Sequence, residues 1–225
     1  MACLMFFLLS VPALAWHDET HLAIARAAGY EKYYNAVGPD MIKAASIETG
    51  NHYFNNNAGA VIAMEMVLQQ ARRYDQPGDA EGHLLGAIIA ALRKYDEVRA
   101  SNKYAECHLA FAAHYIGDLS QPLHNTPYDV FNTAHHAAND GIIEAEVLNN
   151  LSRIERHMYE IKLDPGHCEL ALAVEIARIA NMAREFGNRL RKEDRDMTKD
   201  EAYILAGHSA SLFKAWLTCC RQGRN

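Results

Sequence analysis

The stretch HYIGDLSQPLH, residues 114 to 124, sets His114, Asp118 and His124 at i, i+4 and i+10. On an α-helix, i and i+4 share one face a turn apart, so His114 and Asp118 reach one small volume. Pro122 donates no N–H and pushes residue 121 out of the α region, so the helix ends there and His124 comes from a turn. Upstream, Ala105, Leu109, Phe111, Ala112, Tyr115 and Ile116 make residues 102 to 119 apolar nearly all round, the mark of a central, buried helix. An imidazole and a carboxylate inside such a helix require a partner, and zinc suits both ligand types.

Working outward, the periodicity is helical almost throughout, and no run of alternating β-branched residues suggests a sheet. Helices are expected at about 18–28 (stopped by Gly29), 39–50, 58–74, 79–99, 102–119, 134–162, 167–193 and 198–222. Gln76-Pro77-Gly78 and Asp164-Pro165-Gly166 separate neighbouring helices. The fold class is therefore all-α, a single-domain bundle of many helices over residues 16–225.

Half of the 225 residues are apolar and 22% are charged, enough for a real core. A net charge of −6 argues against a protein whose affinity for nucleic acid rests on basic patches. Bound divalent ions would offset that charge. Residues 1–15, MACLMFFLLSVPALA, read as a signal peptide with a small-x-small site at Ala13-Leu14-Ala15, although no Lys or Arg precedes the apolar run. Removal of that segment gives a secreted or periplasmic protein beginning at Trp16. Export permits disulfides. Among Cys107, Cys168, Cys219 and Cys220 the favoured bridge joins Cys168 to one of the last two.

Several other residues can converge on the central helix. His136 and Asp140 form a second i, i+4 pair, which with His124 makes a two-histidine, one-carboxylate set. Asp40 and His52 can join His114 and Asp118, with Glu48 as a substitute for Asp40. At the processed terminus, the α-amino group and carbonyl of Trp16 can chelate a metal, with His21 and a bridging Asp118 completing the set.

These residues resemble the zinc-dependent phospholipase C and zinc single-strand nuclease superfamily. The likeness rests on Trp16, the H-x-x-G-D-x-x-Q-P-L-H segment from His114 to His124, and His136 with Asp140. It spans essentially the whole of residues 16–225. It implies an all-α exported enzyme, a monomer, with three zinc ions in one cleft. One is held by Asp40, His52, His114 and Asp118. A second is held by His124, His136 and Asp140, and a third by Trp16, His21 and Asp118. Three aspartates against three zinc ions leave a net of about +3, a trap for a phosphodiester. The resemblance further implies zinc-bound hydroxide attacking phosphorus in line, with Asp40 as the catalytic carboxylate that orients or deprotonates the water.

The expected activity is hydrolysis of phospholipid headgroups, with transient contact to a membrane surface. The short chain, Ser120 where the nucleases carry His, and the closeness of His124 to His136 point to a phospholipase C. Asp140 in place of Glu and the spacing of His21 from Trp16 favour the alternative, a single-strand nuclease and 3′-nucleotidase. A non-catalytic zinc- or lipid-binding module is a third reading. Substrate contacts are assigned to Lys43 for phosphate, Glu19 for a choline ammonium and Tyr53 for stacking. His83, His108, His157, His167 and His208 are read as surface, capping or core histidines without a role in the site.

Overall fold

The computed structural model describes residues 16–42, 48–101 and 104–222. The expected signal segment 1–15 and Lys43 lie outside the described residues. Among those described, the chain is helical and contains no strand. Its helices are α1 (Asp18–Ala27), α2 (Gly38–Ile42), α3 (Met64–Gln70), α4 (Leu84–Val98), α5 (Glu106–Leu119), α6 (Val130–Asp140), α7 (Leu151–His157), α8 (Cys168–Glu193) and α9 (Lys199–Gln222).

The expected all-round burial is found over residues 112–119 of α5, which include His114 and Asp118; toward its start Cys107 is exposed and Phe111 only partly buried. α4 packs alongside it with every residue from Leu84 to Leu92 buried. One apolar cluster gathers Leu84, Ile88, Ile116, Phe213 and Trp216 around this pair. A second joins Trp16 and Ile24 to Ile143, Ile154 and Tyr203, where α1 meets α7 and α9.

Two expected helices are corrected. Residues 58–63 are not helical. Asn56 bonds both the carbonyl and the N–H of Ala60, at 2.8 and 2.9 Å, and Gly59 adopts φ +61°. A short amide side chain here offers the backbone an alternative to the helix. The expected helix 134–162 is broken into α6, a turn through Gly141, a 3₁₀ turn at Val147–Asn149, and α7. Ile143, Val147, Leu151 and Ile154 keep a helix-like spacing across this interruption, which is why periodicity alone misreads it. α6 also starts earlier than expected, because Asp129 caps it by accepting the N–H of Asn132 at 3.0 Å, worth about 1 kcal/mol.

The segments that bear the site are held tightly. The turn Pro122–Asn125 lies under α8, where a Cβ on Gly187 would come within 2.8 Å of Thr126 Cγ2. Ser120 is buried against α9, its hydroxyl 2.8 Å from that of Ser209, so it touches α9. Phe54 N–H donates to the carbonyl of His124 at 2.8 Å, tying the segment after His52 to the proline turn. Cys107, Cys168 and Cys219 are free thiols, so the expected bridge from Cys168 to Cys219 or Cys220 is not formed.

Candidate metal centre

α5 ends where α1, α2, the chain after the Thr49–Asn51 turn, and the Pro122–Asn125 turn come together. There His52 Nδ1 lies 3.1 Å from His114 Nε2, 3.2 Å from Asp118 Oδ2 and 3.7 Å from Asp40 Oδ1. His114 Nε2 is in turn 3.5 Å from Asp118 Oδ2 and 3.6 Å from Asp40 Oδ1. Four donors on a zinc ion at 2.0–2.2 Å stand about 3.3 Å apart along each tetrahedron edge. The edges that involve an imidazole nitrogen run from 3.1 to 3.7 Å.

His124, His136 and Asp140 form a second set. The two Nε2 atoms are 3.1 Å apart, and Asp140 Oδ2 lies 3.2 Å from His136 Nε2. Asp140 Oδ1 is 3.9 Å from His124 Nε2 and accepts a hydrogen bond from Gln121 Nε2. Three ligands are the number that leaves a coordination position for substrate or water.

Of the third assignment, His21 and Asp118 lie together. His21 Nε2 is 3.3 Å from Asp118 Oδ1, so the two oxygens of Asp118 face different sets. The His21 ring also stacks on His114 with centroids 3.7 Å apart, which brings His21, Asp40 and His114 within reach of a common ion. Trp16 is fully buried in the second apolar cluster, and the following His17 N–H points to the carbonyl of Asp140 at 3.5 Å. The start of α1 thus lies against the end of α6.

The tautomers provide a test of fit. His114 Nδ1 must donate to the carbonyl of Ala36 at 2.7 Å, so in the neutral ring Nε2 presents a lone pair to Asp40, His52 and Asp118. Likewise His136 Nδ1 donates to Asn132 Oδ1 at 2.6 Å, and Asn132 is oriented by its own donation to Leu123 O at 2.7 Å. Its Nε2 lone pair then faces His124 and Asp140. Lone pairs and carboxylate oxygens converging on one point call for a cation between them, and the outer hydrogen bonds are those that orient metal-binding histidines. The residues present therefore suit three buried His/Asp metal groups: His52–His114–Asp118, His21–Asp40–His114 and His124–His136–Asp140.

Exposure is unequal within the centre. The side chains of Asp40 and His136 are 12% and 8% exposed, whereas those of His21, His114, Asp118 and Asp140 are 0% exposed, so the centre opens past Asp40 and His136. Partial desolvation, then the charges of Asp40 and Glu144, raises the neighbouring Asp18 carboxyl above its usual range. Tyr128 sets its ring edge-on to His136 with centroids 6.4 Å apart, and Tyr53, half-buried, follows His52.

Other assignments sort differently. Glu48 is buried and accepts from Tyr115 Oη and from Asn51 at 2.9 Å, so the substitute for Asp40 serves to hold the turn before His52. Burial, first of all, pushes the Tyr115 phenol upward, keeping it a donor. Glu19 is exposed on α1. His135 pairs with Asp196 at 2.7 Å and stacks on Phe131. His83 is buried between Asp79 and Asn51. Asn132 and the Ala36 carbonyl were not foreseen. Asn132 had a signal, since Asn132, His136 and Asp140 continue one i, i+4 series; a backbone carbonyl has none.

Comparison of the chain with protein-family models, with curated proteins and with solved structures gives no match.

Proposed function

We propose that this chain is an exported zinc-dependent phosphoric ester hydrolase of the phospholipase C and single-strand nuclease kind, cleaving phospholipid headgroups. The observation that carries the reading is Asp118, whose two oxygens reach separate imidazoles within one cluster of eight His and Asp side chains. Zinc in such a centre supplies Lewis acidity and a source of hydroxide at neutral pH.

The chain's own residues have distinct tasks in this proposal. Asp40, at the open side, orients the attacking water and takes its proton. His124, His136 and Asp140 would hold one ion, which would supply Lewis acidity toward an ester oxygen. Trp16, His21 and Asp118 form the third group once the segment ahead of Trp16 is removed. Support for a phospholipid comes from the short His124–His136 interval and the resemblance described above.

A second reading, a single-strand nuclease and 3′-nucleotidase, draws on Asp140 and on Tyr53 and Tyr128, two rings beside the centre on which a base can stack. The deciding experiment compares hydrolysis rates of the zinc-loaded, processed protein on phosphatidylcholine, phosphatidylethanolamine and single-stranded DNA. The proposal expects the phospholipids to lead; DNA leading supports the second reading, and no hydrolysis by protein with full zinc content supports a non-catalytic binding module.

A further inference from the structure

α1 begins without a local cap: His17, at the N-cap position, makes no side-chain capping bond. The acceptors come from 125 residues along the chain. Glu144 Oε1 accepts the N–H of Glu19 at 2.8 Å, and Oε2 accepts the N–H and hydroxyl of Thr20 at 3.1 and 2.9 Å. These satisfy donors that a helix N-terminus leaves open, and they set a negative charge at the positive end of the helix dipole. Thr20 is fully buried, which favours these bonds over water.

The position of Glu144 links two parts of the metal centre. It follows Asp140 by four residues, across the turn through Gly141 that also receives the His17 N–H on the Asp140 carbonyl. His21 sits one residue beyond the capped Thr20, with Nε2 3.3 Å from Asp118 Oδ1. Ala23, Ile24 and Ala25 bury the rest of α1 in the core independently of Glu144. Loss of the carboxylate should therefore release the first turn while the helix stays docked.

We propose that Glu144 is a positioning residue, locking the first turn of α1 to the end of α6 so that His21 meets Asp118 in the metal centre. The proposal rests on the zinc reading given above. It is specific: Glu144 governs the metal equivalent that uses His21, and leaves the others in place.

The test is zinc titration of the processed full chain, unaltered and as Glu144→Ala, Glu144→Gln, His21→Ala and the Glu144→Ala/His21→Ala double variant. Melting of each metal-free form is measured in parallel. Expected is a weakening of one equivalent by about 10–100-fold in Glu144→Ala, the range seen when a group that orients a metal ligand is removed, with the remaining equivalents unchanged. Glu144→Gln, which keeps an acceptor oxygen, should recover part of that loss. The double variant should match His21→Ala in metal binding, because the two changes act on one equivalent. Unchanged affinity for every equivalent in Glu144→Ala overturns the proposal. So does a uniform weakening of all equivalents that follows the melting temperature. An unaltered chain that binds no zinc removes the metal reading, and this inference with it, a result separable from either of those.

Discussion

Asp118 turns Oδ1 to His21 Nε2 at 3.3 Å while its other oxygen lies 3.2 Å from His52. A buried carboxylate shared in this way couples two ligand sets through one side chain, and α5 fixes it without exposure to water. Asp118→Asn should therefore weaken two zinc equivalents together, and leave the His124–His136–Asp140 equivalent least affected. Zinc titration of the variant checks this; loss of one equivalent alone would contradict the bridging role.

Gly117 owes its identity to the same relationship. A Cβ there would lie 2.5 Å from His21 Nδ1, and the His21 ring is already stacked on His114. Gly117→Ala should force the ring away, cost about 1–3 kcal/mol of stability and abolish the His21-dependent equivalent. Denaturant melts and metal analysis of the same preparation measure both effects. Normal zinc content in a fully folded Gly117→Ala protein would show that His21 is not a ligand.

Asn132 should tune the second set from behind. Asn132→Ala removes the acceptor of His136 Nδ1–H and leaves Leu123 O without that donor. The expected result is a loss of about 10–100-fold in affinity at the His124–His136–Asp140 equivalent. Asn132→Asp, which keeps an acceptor for His136, should lose less. Equal affinity of all three proteins would argue against the orienting role.

Away from the centre, His208 gives a pH dependence of stability. Burial first, then the charges of Arg178 and His157, depresses its pKa to about 4. The unfolded chain takes up this proton near the ordinary value of about 6.5, and the folded chain takes it up only at lower pH. The contribution is therefore present above about pH 6.5 and is lost as pH falls toward 4. His208→Gln should flatten the fall in melting temperature across that interval; an unchanged slope would remove His208 as its source.

Much of the centre was legible because helix geometry is local. The i, i+4 spacings of His114 with Asp118 and of His136 with Asp140 place each pair on one face whatever the tertiary structure, and Pro122 locates the turn carrying His124. What was hidden depends on distant chain. The Ala36 carbonyl beneath His114 and Glu144 beneath α1 meet their partners only after folding. The misread helix over 134–162 has the same origin, since Ile143, Val147 and Ile154 are buried by α1 and α9 through a turn that preserves their spacing. Asn56 and Gly59 held the evidence against helix at 58–63, in a side chain that competes for the backbone and a residue at positive φ.

In the proposed function, the eight converging His and Asp side chains, with a start at Trp16, form one centre for three zinc ions. Metal analysis of the processed, purified chain tests it most directly. Three zinc ions per chain are expected, falling to two when one extra residue is retained ahead of Trp16. One zinc or none per chain would contradict the trinuclear centre.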